Sequence, residues 1–128
     1  GMGRRVIAVS EAAPEDRIRL LREYAEVVTF GEQYVDLRAL LEYLGETGVK
    51  RLMVEGGGRL IWSLFADGLV DELYTCVGNV VIGGKDAPTP ADGEGFINEK
   101  DFPRLSLIEL ESLDEGVLIR WKVLKPEE

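Results

Sequence analysis

Leu52-Met53-Val54-Glu55-Gly56-Gly57-Gly58-Arg59-Leu60 is the stretch on which the reading of this chain turns. Arg51-Leu52-Met53-Val54 has the character of a buried strand, and it runs straight into a carboxylate and three glycines. Leu60, Ile61, Leu64 and Phe65 then recur at helical spacing, and Gly68 closes that helix. Consecutive glycines cost chain entropy, so they belong where backbone turns sharply or approaches another group closely. At a helix start the first N–H groups lack internal partners and carry the positive end of the dipole. With no side chains in the way, a phosphate or pyrophosphate can sit against them. A tight turn with no ligand fits the same residues.

Upstream, Val6-Ile7-Ala8-Val9 is a short strand-like run. Pro14 suits a helix first turn, with Glu15 and Asp16 at its positive end and Ile18, Leu21 and Tyr24 on one face. Glu26-Val27-Val28-Thr29-Phe30 reads as a second strand, stopped at Gly31. Asp36 can cap the next helix, whose Leu37, Leu40, Leu41 and Leu44 share a face. Gly45 or Gly48 can end it. The order β-α-β-α-β-α implies a parallel sheet with crossover helices.

Downstream the pattern changes. Residues 70–82 form a long β-rich stretch, and residues 83–95, with Pro88, Pro90, Gly93 and Gly95, read as a loop. Two alternating runs around Asp114-Glu115-Gly116 form a closing hairpin. The expected fold is α/β with a mixed sheet, parallel strands first and antiparallel at the end. At 128 residues, residues 1–128 read as a single domain able to bury a core. Phe30, Trp62, Phe65 and Trp121 are expected in that core.

Charge and residue usage exclude several functions. The net charge of −9 opposes nucleic acid and anionic lipid alike. The chain has no histidine, which removes the commonest general base and metal ligand, and no metal site is expected. The one cysteine, Cys76, lies in an apolar run and is expected buried. There is no membrane-length apolar window and no signal-like N-terminus, so a cytoplasmic protein is expected. Gly1-Met2 reads as a scar ahead of a chosen start.

Known phosphate loops fail on this sequence. A GxGxxG beginning at Gly56 requires glycine where Ile61 stands, and Gly84-Lys85 is followed by Asp86 rather than Ser or Thr. Glu55 ends the third expected strand at its carboxyl end, where open α/β sheets bind ligands, and it could accept hydrogen bonds from hydroxyl or amino groups. A solvated loop carboxylate is the alternative. Asp92-Gly93-Glu94-Gly95 lacks the ligand ladder of a calcium loop and reads as plain loop.

Taken together, Val54-Glu55-Gly56-Gly57-Gly58, Gly68-Leu69-Val70-Asp71-Glu72-Leu73, Val35-Asp36-Leu37 and the strand-ending Gly83-Gly84 resemble the reductase domain of riboflavin biosynthesis. Ala87-Pro88-Thr89 and Asp92-Gly93-Glu94-Gly95-Phe96 point to its archaeal stand-alone pyrimidinone 5′-phosphate reductases. The resemblance implies a dihydrofolate-reductase-like three-layer fold, NADPH as hydride donor, a phosphorylated pyrimidine substrate and a homodimer. The reaction would reduce a ribosyl group to a ribityl chain. Gly56, Gly57, Gly58, Arg59 and Leu60 would then contact the cofactor, Glu55 the substrate, and Gly31, with Phe30 beside it, the cofactor. Gly78-Asn79 departs from the family's Ala-Pro pair. The likeness covers only the C-terminal part of the family domain, so an N-terminally truncated reductase is expected. A short, non-catalytic nucleotide-binding or assembly module is the alternative.

Overall fold

The computed structural model describes residues 3–126, so the expectation about Gly1-Met2 lies outside the described residues. The chain divides into two compact units, the first ending at Met53 and the second beginning at Val54. Each is built around its own sheet.

The first unit starts with β1 (Val6–Val9), α1 (Glu15–Leu21) and β2 (Glu26–Thr29). β1 and β2 pair in parallel, Val6 opposite Glu26 through Val9 opposite Thr29. A parallel pair needs a crossover, and α1 supplies it. Pro14 stands at the cap position, where its missing N–H costs nothing, and its carbonyl accepts from Arg17 and Ile18. Ile18 is buried, whereas Tyr24 falls past the helix end and is exposed.

α2 (Leu37–Glu46) opens as its sequence dictates: the Asp36 carboxylate accepts from the Ala39 N–H at 3.0 Å. Leu37, Leu40, Leu41 and Leu44 are half-buried along one face. Gly48, at φ +99, ends the helix in the left-handed region, which settles the choice between Gly45 and Gly48. At the foot of the unit Arg4 donates from Nε and Nη2 to the two Glu26 oxygens, at 2.9 and 2.8 Å. The Tyr43 hydroxyl donates to Glu26 Oε1 at 2.6 Å and accepts from Arg4. These partners hold the Glu26 carboxyl at about 2, chiefly through the Arg4 hydrogen bonds. Residues before β1, β2 and α2 are thereby tied together.

The second unit holds α3 (Gly58–Ala66), β3 (Glu72–Val77), β4 (Leu105–Leu113) and β5 (Gly116–Val123). The sheet order is β3-β5-β4, antiparallel throughout. β4 and β5 are joined by the expected hairpin, with Asp114 at φ +50 in its two-residue turn. Asparagine and aspartate are the non-glycine residues that best tolerate that region. On one sheet face Leu73, Thr75 and Val77 stand beside Trp121, Ile119 and Val117. On the other, Arg120 makes a two-pronged ion pair with Glu72, at 2.8 and 3.1 Å, and lies over the Tyr74 ring.

Parallel strands followed by an antiparallel hairpin are present as the sequence implies, in two sheets. Four other expectations are corrected. Residues 51–54 pair with no strand among the described residues, and Met53 is 78% exposed. An apolar run becomes a strand only when a partner takes its backbone groups. β3 stops at Val77, with Val81 99% exposed, so the run to residue 82 is loop from Gly78 onward. Cys76 is exposed, because it alternates onto the Tyr74–Arg120 face of β3. The core is thin: Ile18, Leu64 and Val123 are the buried apolar residues among those described, and the four expected core aromatics are half-buried. No helix among the described residues is long and apolar enough to cross a membrane.

Candidate functional site around the glycine turn

The three glycines begin α3 as expected, but each is glycine for a different reason. A Cβ on Gly56 would strike the Leu60 side chain at 2.7 Å, so this glycine makes room for the first helical turn to fold back. Gly57 caps α3 in extended conformation, φ −98 and ψ 166, and a Cβ there meets nothing within 4 Å. Gly58 is the first helical residue, and a Cβ on it would collide with the Asp92 carboxylate and lie 2.8 Å from the Thr89 carbonyl.

That collision shows what the sequence reading missed. Residues 87–95 are loop, as expected, but Thr89, Asp92 and Gly93 pack on the start of α3. The Asp92 N–H donates to the Gly58 carbonyl at 3.0 Å. Asp92 Oδ1 accepts from the Thr89 N–H at 2.8 Å and from the Thr89 hydroxyl at 2.7 Å. These bonds, the backbone one first, lower the Asp92 carboxyl below its ordinary range. Gly93, at φ +74, lies so close to Trp62 that a Cβ would sit 2.5 Å from the ring. Phe96 stands 6.3 Å from the same ring. The buried Trp62 Nε1 has no hydrogen-bond partner among the described residues. The signal for this docking was present in Thr89-x-x-Asp92 with two positive-φ glycines after it, a pattern suited to a self-bonded turn.

The other expected residues fall as follows. Glu55 is exposed at the entry to the turn. Arg59 is exposed on the first turn of α3, and its carbonyl accepts from Ser63. Leu60 is packed on Gly56. The N–H groups of Gly58, Arg59 and Leu60, at the positive helix end, have no partner among the described residues. Together with the open space at Gly57, this leaves one bare backbone face suited to an anionic or polar ligand.

Gly31 belongs to the first unit and sits in a closed turn. It has φ +84, and a Cβ would collide with the Tyr34 carbonyl and lie 2.8 Å from the Asp36 N–H. Phe30 beside it packs on the Tyr43 ring at 5.5 Å. Two open surface concavities lie elsewhere: 340 Å³ lined by Gly3, Arg5, Tyr24, Ala25 and Glu26, and 90 Å³ beside Tyr74 and Arg120. Neither includes the glycine turn, whose bare face is a surface and not an enclosed cavity.

An α/β chain with a parallel pair, an antiparallel hairpin sheet and a glycine turn opening a helix defines a class, and comparison with known proteins names it. Residues 1–119 match the RibD C-terminal domain family, and the chain belongs to that family. It is 49% identical over 105 residues to the 2,5-diamino-6-ribosylamino-4(3H)-pyrimidinone 5′-phosphate reductase of Archaeoglobus fulgidus, covering 82% of this chain and 48% of that one. The enzyme of the same name from Methanothermobacter thermautotrophicus is 45% identical over 118 residues, covering 92% of this chain and 55% of its own. The chain thus spans about half the length of these reductases.

Among solved structures, a pyrimidine reductase-like protein from Corynebacterium diphtheriae superposes with a TM-score of 0.78 at 20% identity, over 94% of this chain and 50% of that one. Acinetobacter baumannii RibD gives 0.67 at 20% identity, over 91% and 31%. The fold is the dihydrofolate-reductase-like one.

Proposed function

We propose that residues 1–128 are the C-terminal part of an NADPH-dependent reductase of riboflavin biosynthesis. Its substrate would be a pyrimidinone ribosylamino 5′-phosphate, and its product the ribityl compound. The observation that carries this reading is identity of 45–49% to two enzymes so named, extending over 82–92% of the chain. Bound NADPH would supply the hydride for opening the ribosyl group.

The chain's own part is binding and orientation. The N–H groups of Arg59 and Leu60 would face the cofactor's phosphates, which the bare Gly57 admits to the backbone, and Gly58 would contact the cofactor beside them. Gly56 keeps Leu60 folded away from that approach. Glu55, exposed at the turn's entry, would accept hydrogen bonds from the substrate's hydroxyl or amino groups. Gly31 is carried as a cofactor contact by the family resemblance alone. Cytoplasmic location and a homodimer belong to the same proposal.

The test is a fluorescence titration of the full chain with NADPH. Binding below millimolar cofactor supports the reading, and none at millimolar cofactor sinks it for this chain. The alternative reading is a non-catalytic nucleotide-binding or assembly module of the same fold. Turnover of the pyrimidinone substrate by this chain alone would rule that out.

A further inference from the structure

The Asp92 carboxylate is held at the mouth of the glycine turn with one oxygen to spare. Its backbone is fixed to Gly58, and Oδ1 takes both Thr89 hydrogen bonds. Oδ2 is the atom nearest the place where a Gly58 side chain would begin, and it accepts no hydrogen bond among the described residues. Only glycine at 58 lets a charged oxygen come this close to the first helical residue. The loop that carries it is pinned again one residue later, by Gly93 against Trp62.

A carboxylate at this place has two opposite effects on a ligand. It repels a second anion brought to the Gly58 side of the turn. It attracts a hydroxyl, which donates to the free oxygen in a charge-assisted bond. Gly57, one residue away, carries no such neighbour.

We propose that Asp92 is a specificity-determining residue of the glycine turn: it keeps phosphate off the Gly58 side and accepts a sugar hydroxyl there, leaving Gly57 as the side where phosphate meets backbone. The inference rests on the turn being a nucleotide site, and it adds which part of the nucleotide lies where.

The experiment uses the full chain, wild type and Asp92→Asn, titrated with inorganic pyrophosphate, with adenosine and with NADPH at low and high salt. Asparagine keeps its amide oxygen for Thr89 and puts an NH2 donor where the free, charged Oδ2 stood. At about 5 Å in a water-like dielectric, two unit charges repel by enough for about a fourfold change in affinity. Asp92→Asn is therefore expected to bind pyrophosphate about fourfold tighter at low salt, with the gap closing at high salt. It is expected to bind adenosine more weakly, because the NH2 group at that place cannot accept the sugar hydroxyl. Thr89→Ala, which removes one of the two bonds that hold the carboxylate in place, moves pyrophosphate affinity in the same direction by less.

Equal or weaker pyrophosphate binding by Asp92→Asn overturns the proposal, as does no binding by either protein. Wild-type chain that ignores NADPH, alongside an Asp92→Asn variant that gains pyrophosphate affinity, sinks the reductase reading and keeps this one. NADPH binding in the wild type with no dependence on Asp92 sinks this one alone.

Discussion

The chain has two glycine turns that the family resemblance proposes as cofactor contacts, and they are built in opposite ways. The turn at Gly31 is closed by its own backbone: the glycine is left-handed, and the Tyr34 carbonyl and Asp36 N–H fill the space a side chain would take. The turn at Gly56 to Gly58 is filled on two sides, by Leu60 and by Asp92, and bare in the middle, at Gly57. A glycine therefore reports close approach without saying what approaches. In the first turn it is the chain itself. In the second, one position of three is left for something else.

Substitutions can break this contrast. Gly31→Val should have the largest effect, because it combines a positive-φ penalty with a backbone collision; a loss of about 3 kcal/mol or more in urea unfolding is expected. Retained stability would show that the turn is not closed as described. Gly58→Ala should come next, at about 1–2 kcal/mol, because the colliding partner sits on a surface loop that can shift. Its signature is faster amide hydrogen exchange through residues 87–95.

Asp36→Ala should cost about 1 kcal/mol, the usual value of a lost helix cap. Gly57→Val should have the smallest effect on stability, below about 1 kcal/mol, since its backbone is extended and its surroundings empty. It should nevertheless abolish NADPH binding in the fluorescence titration, because the valine occupies the proposed phosphate approach. Unchanged affinity would contradict that location.

A pH series separates the first unit from the second. The Glu26 carboxyl titrates at about 2 when folded, against 4.5 ordinarily. Its contribution to stability is then fully present above about 4.5 and lost as pH falls toward 2. Glu26→Gln removes that dependence, so acid unfolding curves of the two proteins should converge near pH 2. Parallel curves down to that pH would show that the Arg4–Glu26–Tyr43 cluster does not form.

What was legible in the sequence follows from what local signals encode. The Asp36 cap, the leucine face of α2 and the hairpin around Asp114 rest on contacts within a few residues, and each is present. Residues 51–54 and 80–82 look like strands for an equally local reason, their apolar content. Pairing is not local, and neither run finds a partner among the described residues. Cys76 failed because the apolar run around it was read as fully buried when it alternates between two faces. At the site, the turn and its helix were legible from spacing. The Asp92 contact was not, because it joins residues 34 positions apart and depends on the absence of one Cβ.

β4 pairs with β5 in a register that shifts between Leu107 and Glu109, and the shift has a practical side. β4 is an edge strand, its nine residues are all exposed, and Leu105, Leu107, Ile108 and Leu110 lie along it. Such an edge invites stacking of one molecule on the next. The irregularity between Leu107 and Glu109 interrupts the straight row of backbone groups that stacking needs, and Glu109 and Glu111 add charge to it. With −9 on every copy, mutual repulsion completes the protection. That repulsion is ionic, so salt removes it, and a concentrated solution of this chain should stay clear in dilute buffer and cloud as salt is raised.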